Sequence, residues 1–86
     1  MNDLLFLNKA WDDYLYWQAQ DKKTLKKINS LLRDIARDPF NGIGKPEPLK
    51  DDLNEFWSRR IDETNRLVYR INNDVIEILA CRGHYN

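Results

Sequence analysis

Groups that bind metals or form disulfides are almost absent from this sequence of 86 residues, which contains one cysteine, Cys81, and one histidine, His84. A single cysteine excludes an internal disulfide framework and gives no CxxC or zinc-ligand spacing. Because there is also only one histidine, we do not expect a Cys/His metal site. Cys81 is predicted to be a small buried residue without a redox role.

Long apolar runs are also absent. No run approaches the roughly 18 residues that a membrane-spanning helix needs, and the first residues do not form a signal-peptide pattern. We therefore predict a cytoplasmic protein without a membrane partner.

The chain has no net charge, because 14 Lys and Arg residues balance 14 Asp and Glu residues. The charges are nevertheless unevenly distributed, since residues 21–50 carry eight basic against four acidic side chains. A local positive patch of this kind can attract a polyanion although the total charge is zero. The composition therefore leaves a nucleic-acid partner open.

The first half of the chain predicts one strand and two helices. An apolar run at residues 3–7 is typical of a buried strand. Asn8 is predicted to cap a helix over about residues 9–20. Asp21 opens a second helix with apolar residues spaced three and four apart, and Pro39 ends it.

The second half predicts three strands, over residues 56–61, 66–71 and 75–82, separated by turn-forming residues. The resulting order is β-α-α-β-β-β. Helices that come first and strands that come together later indicate an α+β fold rather than a doubly wound sheet. The length suits one small domain.

Residues 38–55 have no clear period and predict a long loop, which in a small domain is often functional. Within this loop "GKPEPLK", at 44–50, places Glu47 between two prolines. Proline removes a backbone donor and keeps the preceding residue extended. Glu47 is therefore predicted to lie on a stiff, irregular strip of chain, although a loop carboxylate is usually only a solvated charge.

Arginine is the only strong base in the last 36 residues, where it occurs at Arg59, Arg60, Arg66, Arg70 and Arg82. Its planar guanidinium suits phosphate oxygens. Arginines also solvate the open face of a sheet, and the composition alone favours that interpretation. His84 lies near the end of the chain, where a frayed histidine is more common than a functional one.

A carboxylate, several arginines and a histidine could together cleave RNA without a metal if the last strand ends near the loop. A base would take the ribose 2′-OH proton, an acid would protonate the leaving oxygen, and arginines would stabilise the phosphate. Whether the three groups meet is left open by composition and spacing.

Five segments carry a resemblance to a known family: "WDDYLYW" (11–17), "GKPEPLK" (44–50), "FWSRRI" (56–61), "NRLVYRI" (65–71) and "ACRGHY" (80–85). In order and spacing they resemble the YoeB/Txe toxins of bacterial toxin–antitoxin systems, in the RelE/ParE superfamily. The likeness runs nearly end to end. It implies a single RelE/YoeB-like toxin domain over residues 1–86, with two N-terminal helices packed on a small, largely antiparallel sheet.

The resemblance implies a ribosome-dependent endoribonuclease that cuts mRNA in the ribosomal A site. By this resemblance, Glu47 corresponds to the family's general base, His84 to its general acid and Arg66 to the residue that stabilises the phosphate. The other predicted site residues are Tyr85, which orients the acid or contacts RNA, and the RNA contacts Lys50, Arg59 and Arg60. The family implies a homodimer and a cognate antitoxin of the Phd/YefM kind, with no metal and no cofactor.

Three residues depart from the family pattern, because many relatives have glycine at Glu55, histidine at Asn65 and a bulkier residue at Gly83. Asn65 lies in a turn and is expected to be harmless. Glu55 is expected to alter its turn or weaken the approach of RNA. Gly83 is expected to loosen the placement of His84.

Two other functions stay open at this point. One is a non-catalytic inhibitor of the same fold, such as the gyrase-poisoning ParE branch, and the other is an inactive module that binds an antitoxin. The presence of both a base and an acid favours the ribonuclease, since an inhibitor needs neither.

Overall fold

A five-stranded sheet with two helices on one face forms the molecule. The computed structural model describes residues 2–84. The elements are β1 (Asp3–Phe6), α1 (Asn8–Gln20), α2 (Lys22–Arg37), β2 (Glu47–Pro48), β3 (Trp57–Arg60), β4 (Arg66–Asn72) and β5 (Val75–Ala80). The strand order is β1-β5-β4-β3-β2, with β1 parallel to β5 and every other pair antiparallel. The predicted α+β fold, with two helices on a largely antiparallel sheet, is confirmed.

The sequence did not predict β2, the short strand within residues 38–55. Glu47–Pro48 pairs with β3, and Asp51–Leu53 forms a short 3-10 helix. Proline lacks the N–H that a central strand needs, but an edge strand tolerates it, and β2 lies at the edge of the sheet. The two prolines beside Glu47, which argued against a strand in the sequence, are thus compatible with an edge strand.

The helix boundaries follow local hydrogen bonding. Asp21 caps α2 as predicted, since its carboxylate accepts the backbone N–H groups of Lys23 and Thr24 at 3.1 Å each. The predicted cap of α1 is wrong by one residue. Asn8 is already helical, and Leu7 occupies the cap position without a side-chain hydrogen bond.

The two faces of the sheet bury different amounts of apolar surface. The main core lies between the sheet and the helices and includes Ile28, Leu31, Leu32, Ile35, Leu67, Tyr69, Ile76 and Ile78. A smaller cluster, Leu49, Val68 and Ala80, lies on the opposite face, here called the outer face. The outer face thus has a small apolar cluster and carries neither α1 nor α2.

Arg59 is fully buried at the helix-facing side of β3, with 0% of its surface exposed. Its Nη1 donates to the Asp34 carboxylate at 2.7 Å and to the Ile43 carbonyl at 2.8 Å. Its Nη2 donates to the Asp38 carbonyl at 2.8 Å, and its Nε donates to the Tyr69 hydroxyl at 2.9 Å. This buried guanidinium therefore joins α2, the sheet and the loop that follows α2.

The loop at residues 38–46 is fitted closely around this ion pair. Asp34 also accepts the backbone N–H of Ile43 at 3.0 Å, and the Tyr69 hydroxyl donates to the Pro39 carbonyl at 2.6 Å. Gly42 has φ +139°, and a Cβ built there would lie 1.9 Å from Asp34 Oδ2. Any larger residue at this position would displace the carboxylate that neutralises Arg59.

Among residues 2–84, no helix has the length and apolar character needed to cross a bilayer.

Replacing Arg59 by alanine is expected to lower the free energy of unfolding by about 3–5 kcal/mol, because it removes one partner of a buried ion pair and several buried hydrogen bonds. Denaturant unfolding followed by tryptophan fluorescence measures the loss. The matched control is Arg60→Ala, in the next residue but exposed on the outer face, with an expected change within about 1 kcal/mol. Equal losses for the two variants would contradict the structural role of Arg59.

Stability at acid pH should depend on Asp34. Hydrogen bonds from Arg37 and then Arg59 lower the pKa of this carboxyl from 3.8 to about 2. Since the folded pKa lies below the unfolded value, the stabilisation is complete above about pH 4 and is lost as pH falls towards 2. We expect Asp34→Asn to be less stable at neutral pH and to show a shallower stability decrease between pH 4 and 2. The free energy of unfolding is measured by urea titration at each pH. A pH dependence between 4 and 2 that is the same in Asp34→Asn and the wild type would contradict this prediction.

Candidate active site

Three of the predicted site residues lie on the outer face of the sheet. Glu47 in β2 is opposite Ser58 in β3, and Ser58 is opposite Val68 in β4. Arg60 is directly opposite Arg66, two residues farther along the same pair of strands. Because opposite residues share a face and alternate residues along a strand do too, Glu47, Arg60 and Arg66 lie on one surface.

The sheet also sets the width of this surface. Adjacent strands lie about 4.8 Å apart, so roughly 10 Å separates the backbones of β2 and β4. Glu47 lies on β2 and Arg66 on β4, with Arg60 on the strand between them.

The strip that carries Glu47 is held on both sides of this residue. The Arg60 backbone N–H donates to the Gly44 carbonyl at 2.6 Å, and the Leu49 N–H donates to the Phe56 carbonyl at 2.9 Å. The predicted stiffness is therefore present and comes from pairing with β3 as well as from the prolines. The Glu47 side chain is exposed, and within residues 2–84 it forms no hydrogen bond or ion pair.

Arg66 connects the hairpin turn to the end of the chain. It is only 9% exposed, and its Nη1 donates to the Asp62 carbonyl at 3.1 Å. Its backbone N–H donates to the Gly83 carbonyl at 2.9 Å. This bond brings the next residue, His84, beside the first residue of β4, and His84 is exposed. Tyr85 lies outside the described residues.

The prediction that Arg59 contacts RNA is not supported. Arg59 and Arg60 are adjacent in one strand, so their side chains point to opposite faces of the sheet. Arg60 is exposed on the outer face, whereas the guanidinium of Arg59 is buried and already donates from all three of its nitrogens. Arg59 is therefore a structural residue. Lys50 is exposed just after the strip, at the start of the 3-10 helix.

All three residues that depart from the family pattern have contacts other than those expected. Glu55 forms an ion pair with Arg70, which also pairs with Glu77, so its charge is partly compensated. Asn65 is more than a turn residue, because its side-chain Oδ1 accepts the backbone N–H of Gly83 at 2.9 Å. Gly83 itself is held on both sides by hydrogen bonds, so it is not a loose link beside His84.

The segment before His84 is also anchored to α1, by contacts that no sequence pattern indicates. The indole Nε1 of Trp17 donates to the Cys81 carbonyl at 2.8 Å, and the Cys81 N–H donates to the buried Asp13 carboxylate at 3.0 Å. Burial and the Asp13 charge raise the pKa of the Cys81 thiol to about 12. Cys81 is thus buried, as predicted. These contacts join residues more than 60 positions apart, which no local pattern reveals.

A surface depression of about 650 Å³ lies away from this site. It is lined by α2 and the following loop, through Lys26, Asn29, Ser30, Arg33, Asp34, Arg37 and Ile43. These residues belong to the helix-bearing side of the molecule, whereas Glu47 and Arg66 lie on the outer face. Within residues 2–84, no group of three or more His, Cys, Asp or Glu side chains is arranged to hold a metal ion.

Comparison with known proteins decides the family. The model of the YoeB-like toxin of bacterial type II toxin-antitoxin systems matches residues 6–85. The chain belongs to this family. Toxin YoeB of Escherichia coli strain K12 is 57% identical over 82 residues, covering 95% of this chain and 98% of that protein. The resemblance that the sequence motifs carried is therefore confirmed.

Solved structures of family members have the same fold. The YoeB/ParE toxin from Agrobacterium tumefaciens superposes with a TM-score of 0.93 at 45% identity, covering 96% of this chain and 99% of that one. The YoeB dimer from Staphylococcus aureus gives a TM-score of 0.90 at 46% identity, covering 98% of both chains. The heterotetrameric YoeB-YefM toxin-antitoxin complex from S. aureus gives 0.88 at 45% identity, covering 99% of both. The chain is thus a type II toxin of the YoeB family by sequence and by fold.

Proposed function

We propose that this toxin is a ribosome-dependent endoribonuclease, an mRNA interferase that cuts mRNA in the ribosomal A site and so inhibits translation. The observation that supports the proposal most is the outer face of the sheet. There Glu47 and Arg66 share one face, and the Arg66 N–H binds the carbonyl of Gly83, the residue before the exposed His84. A carboxylate, a guanidinium and an imidazole are the groups that acid–base cleavage of RNA needs.

In the proposed reaction, Glu47 accepts the proton of a ribose 2′-OH while the 2′-oxygen attacks the adjacent phosphorus. The bond from phosphorus to the 5′-oxygen breaks, and His84 gives a proton to that leaving oxygen. Arg66 donates hydrogen bonds to the non-bridging oxygens as negative charge accumulates on them. The products are a 2′,3′-cyclic phosphate and a 5′-hydroxyl, and no metal takes part.

The remaining site residues bind and orient the substrate. Lys50 follows Glu47 along the chain, and Arg60 lies in β3 beside Gly44. Both are exposed cations, and we assign both to RNA contacts. Tyr85 is assigned to the site by its position in the family motif, beside His84, where it orients the acid or contacts RNA.

The ribosome supplies the substrate geometry that this open face lacks. Glu47 and His84 are exposed, so the protein alone does little to fix the 2′-OH in line with the phosphorus. Holding the reactants in the right geometry contributes a large part of many rate enhancements. The basic side of α2 offers a surface for ribosomal RNA, through Lys22, Lys23, Lys26, Lys27, Arg33 and Arg37.

We also propose the partners that the S. aureus relatives have in their solved structures. These relatives were solved as a YoeB dimer and as a YoeB-YefM complex. This chain is accordingly proposed to form a homodimer and to be neutralised by a YefM-like antitoxin. It acts in the cytoplasm, where its ribosomal target is found, as a single toxin domain over residues 1–86.

Replacing Glu47 by glutamine or His84 by alanine should each lower the rate of mRNA cleavage by about 10²–10⁴-fold, the usual contribution of a general base or acid. Purified protein is added to programmed ribosomes in a single-turnover assay, and the new 5′ ends are mapped. The wild type should cut within the A-site codon. Arg66→Ala should lower the rate without shifting the position of the cut.

Two matched controls separate these roles from nonspecific damage. Glu63→Gln removes an exposed carboxylate from the β3–β4 turn, and Arg70→Ala removes an outer-face arginine that is already paired with two glutamates. Both should cleave at a rate close to that of the wild type. Intact mRNA with the wild type would overturn the proposal and favour a ParE-like inhibitor or an inactive antitoxin-binding module. Equal cleavage by all variants would overturn the assignment of base and acid.

A further inference from the structure

The three residues between β5 and His84 form no strand, yet each of them has a hydrogen-bonded backbone group. α1 holds Cys81 through Trp17 and Asp13, and Lys9 Nζ donates to the Arg82 carbonyl at 3.3 Å. Gly83, the last residue before His84, is held by β4 and the turn before it. The direction in which His84 leaves the sheet is therefore set at Gly83.

Both backbone groups of Gly83 are bound by consecutive residues. Its N–H donates to the side-chain Oδ1 of Asn65 at 2.9 Å, and its carbonyl accepts the N–H of Arg66 at 2.9 Å. The second of these bonds is main chain to main chain, so it survives most substitutions. The first depends on one side chain, and Asn65 is the only described side chain that binds the Gly83 N–H.

The carboxamide of Asn65 is itself held in place. Its Nδ2 donates to both carboxylate oxygens of Asp62, at 3.2 and 3.1 Å, and to the Thr64 hydroxyl at 3.2 Å. The amide nitrogen Nδ2 donates to these groups and the amide oxygen Oδ1 accepts the Gly83 N–H, so the orientation of the amide is fixed by partners of both atoms. The backbone carbonyl of Asp62 also accepts a hydrogen bond from Arg66 Nη1. One turn thus binds the phosphate-stabilising arginine and the residue before the proposed acid.

Gly83 needs this support. Its φ is +113°, in the region that residues with a side chain rarely adopt, and glycine has many other conformations available to it. Hydrogen bonds to both of its backbone groups restrict that freedom. Without the Asn65 bond, the N–H can turn to water and the next residue is no longer aimed in one direction.

We propose that Asn65 is a positioning residue, which fixes the Gly83 backbone and thereby aims the His84 imidazole at the leaving 5′-oxygen. The inference rests on the proposed ribonuclease function for its catalytic consequence but not for the bond itself. A displacement of about 1 Å at a reacting group can cost about 10²-fold in rate. Asn65→Ala is therefore expected to lower the single-turnover rate by about 10–100-fold.

The bond can be tested without any activity. We expect the Gly83 amide of the wild type to exchange with deuterium at least about tenfold more slowly than that of Asn65→Ala, measured by NMR at constant pH. Thr64→Val is the matched control, since it removes a hydroxyl bound to Asp62 and to Asn65 Nδ2 but leaves both Asp62 oxygens on Nδ2 and the Asn65–Gly83 bond. Its Gly83 amide should stay protected. An unprotected Gly83 amide in the wild type would overturn the proposal outright.

The role in positioning is tested by a double-mutant cycle on programmed ribosomes. If Asn65 acts through His84, Asn65→Ala should lower the cleavage rate by about 10–100-fold when His84 is present. In the His84→Ala background it should lower the rate by less than about twofold. Thr64→Val should cost less than about threefold. Equal losses from Asn65→Ala in both backgrounds would overturn a role through His84.

The two proposals fail in different ways. A wild type with a protected Gly83 amide but no cleavage would contradict the ribonuclease function and the catalytic part of this inference, while the Asn65–Gly83 bond would stand. If the wild type cleaves RNA and Asn65→Ala cleaves it at the same rate, only the positioning role is contradicted. Equal melting temperatures of Asn65→Ala and Thr64→Val establish that a loss of activity is not a loss of folding.

Discussion

The buried ion pair between Arg59 and Asp34 is the interaction on which the rest of this structure depends. A guanidinium with no exposed surface must have its charge and its N–H groups satisfied inside the protein, because leaving them unpaired is strongly unfavourable. Asp34 supplies the charge, and carbonyls of the loop supply most of the other acceptors. The loop at residues 38–46 therefore has one way to lie on α2 and the sheet, although it has almost no regular structure.

The placement of this loop determines the site. Its continuation pairs with β3 from Gly44 to Leu49, and this pairing presents Glu47 on the outer face. The turn at residues 62–65, which follows Arg60 at the end of β3, holds Arg66 and Gly83. The helix-facing side thus provides stability while the outer face displays the polar groups, with strand alternation separating the two.

Much of this could be predicted from the sequence, and the failures have physical causes. The two helices, four of the five strands, and the stiffness around Glu47 follow from periodicity, capping and proline. The separation of Arg59 from Arg60 follows from strand alternation, but which of the two is buried depends on Asp34, which is 25 residues away. Asn65 looked like an ordinary turn residue because its partner Gly83 is 18 residues farther along the chain. Long-range side-chain partners of this kind leave no local pattern.

The proposed chemistry depends on a single atom of the substrate, the ribose 2′-oxygen at the cut. The most direct measurement therefore uses a programmed ribosome with an mRNA that carries one 2′-deoxynucleotide at the mapped cleavage position. We expect the wild-type protein to leave this mRNA intact and to cut the matched all-ribose mRNA to a 2′,3′-cyclic phosphate and a 5′-hydroxyl. Cleavage of the deoxy-substituted mRNA at the same bond would contradict attack by the 2′-oxygen, and with it the roles proposed for Glu47 and His84.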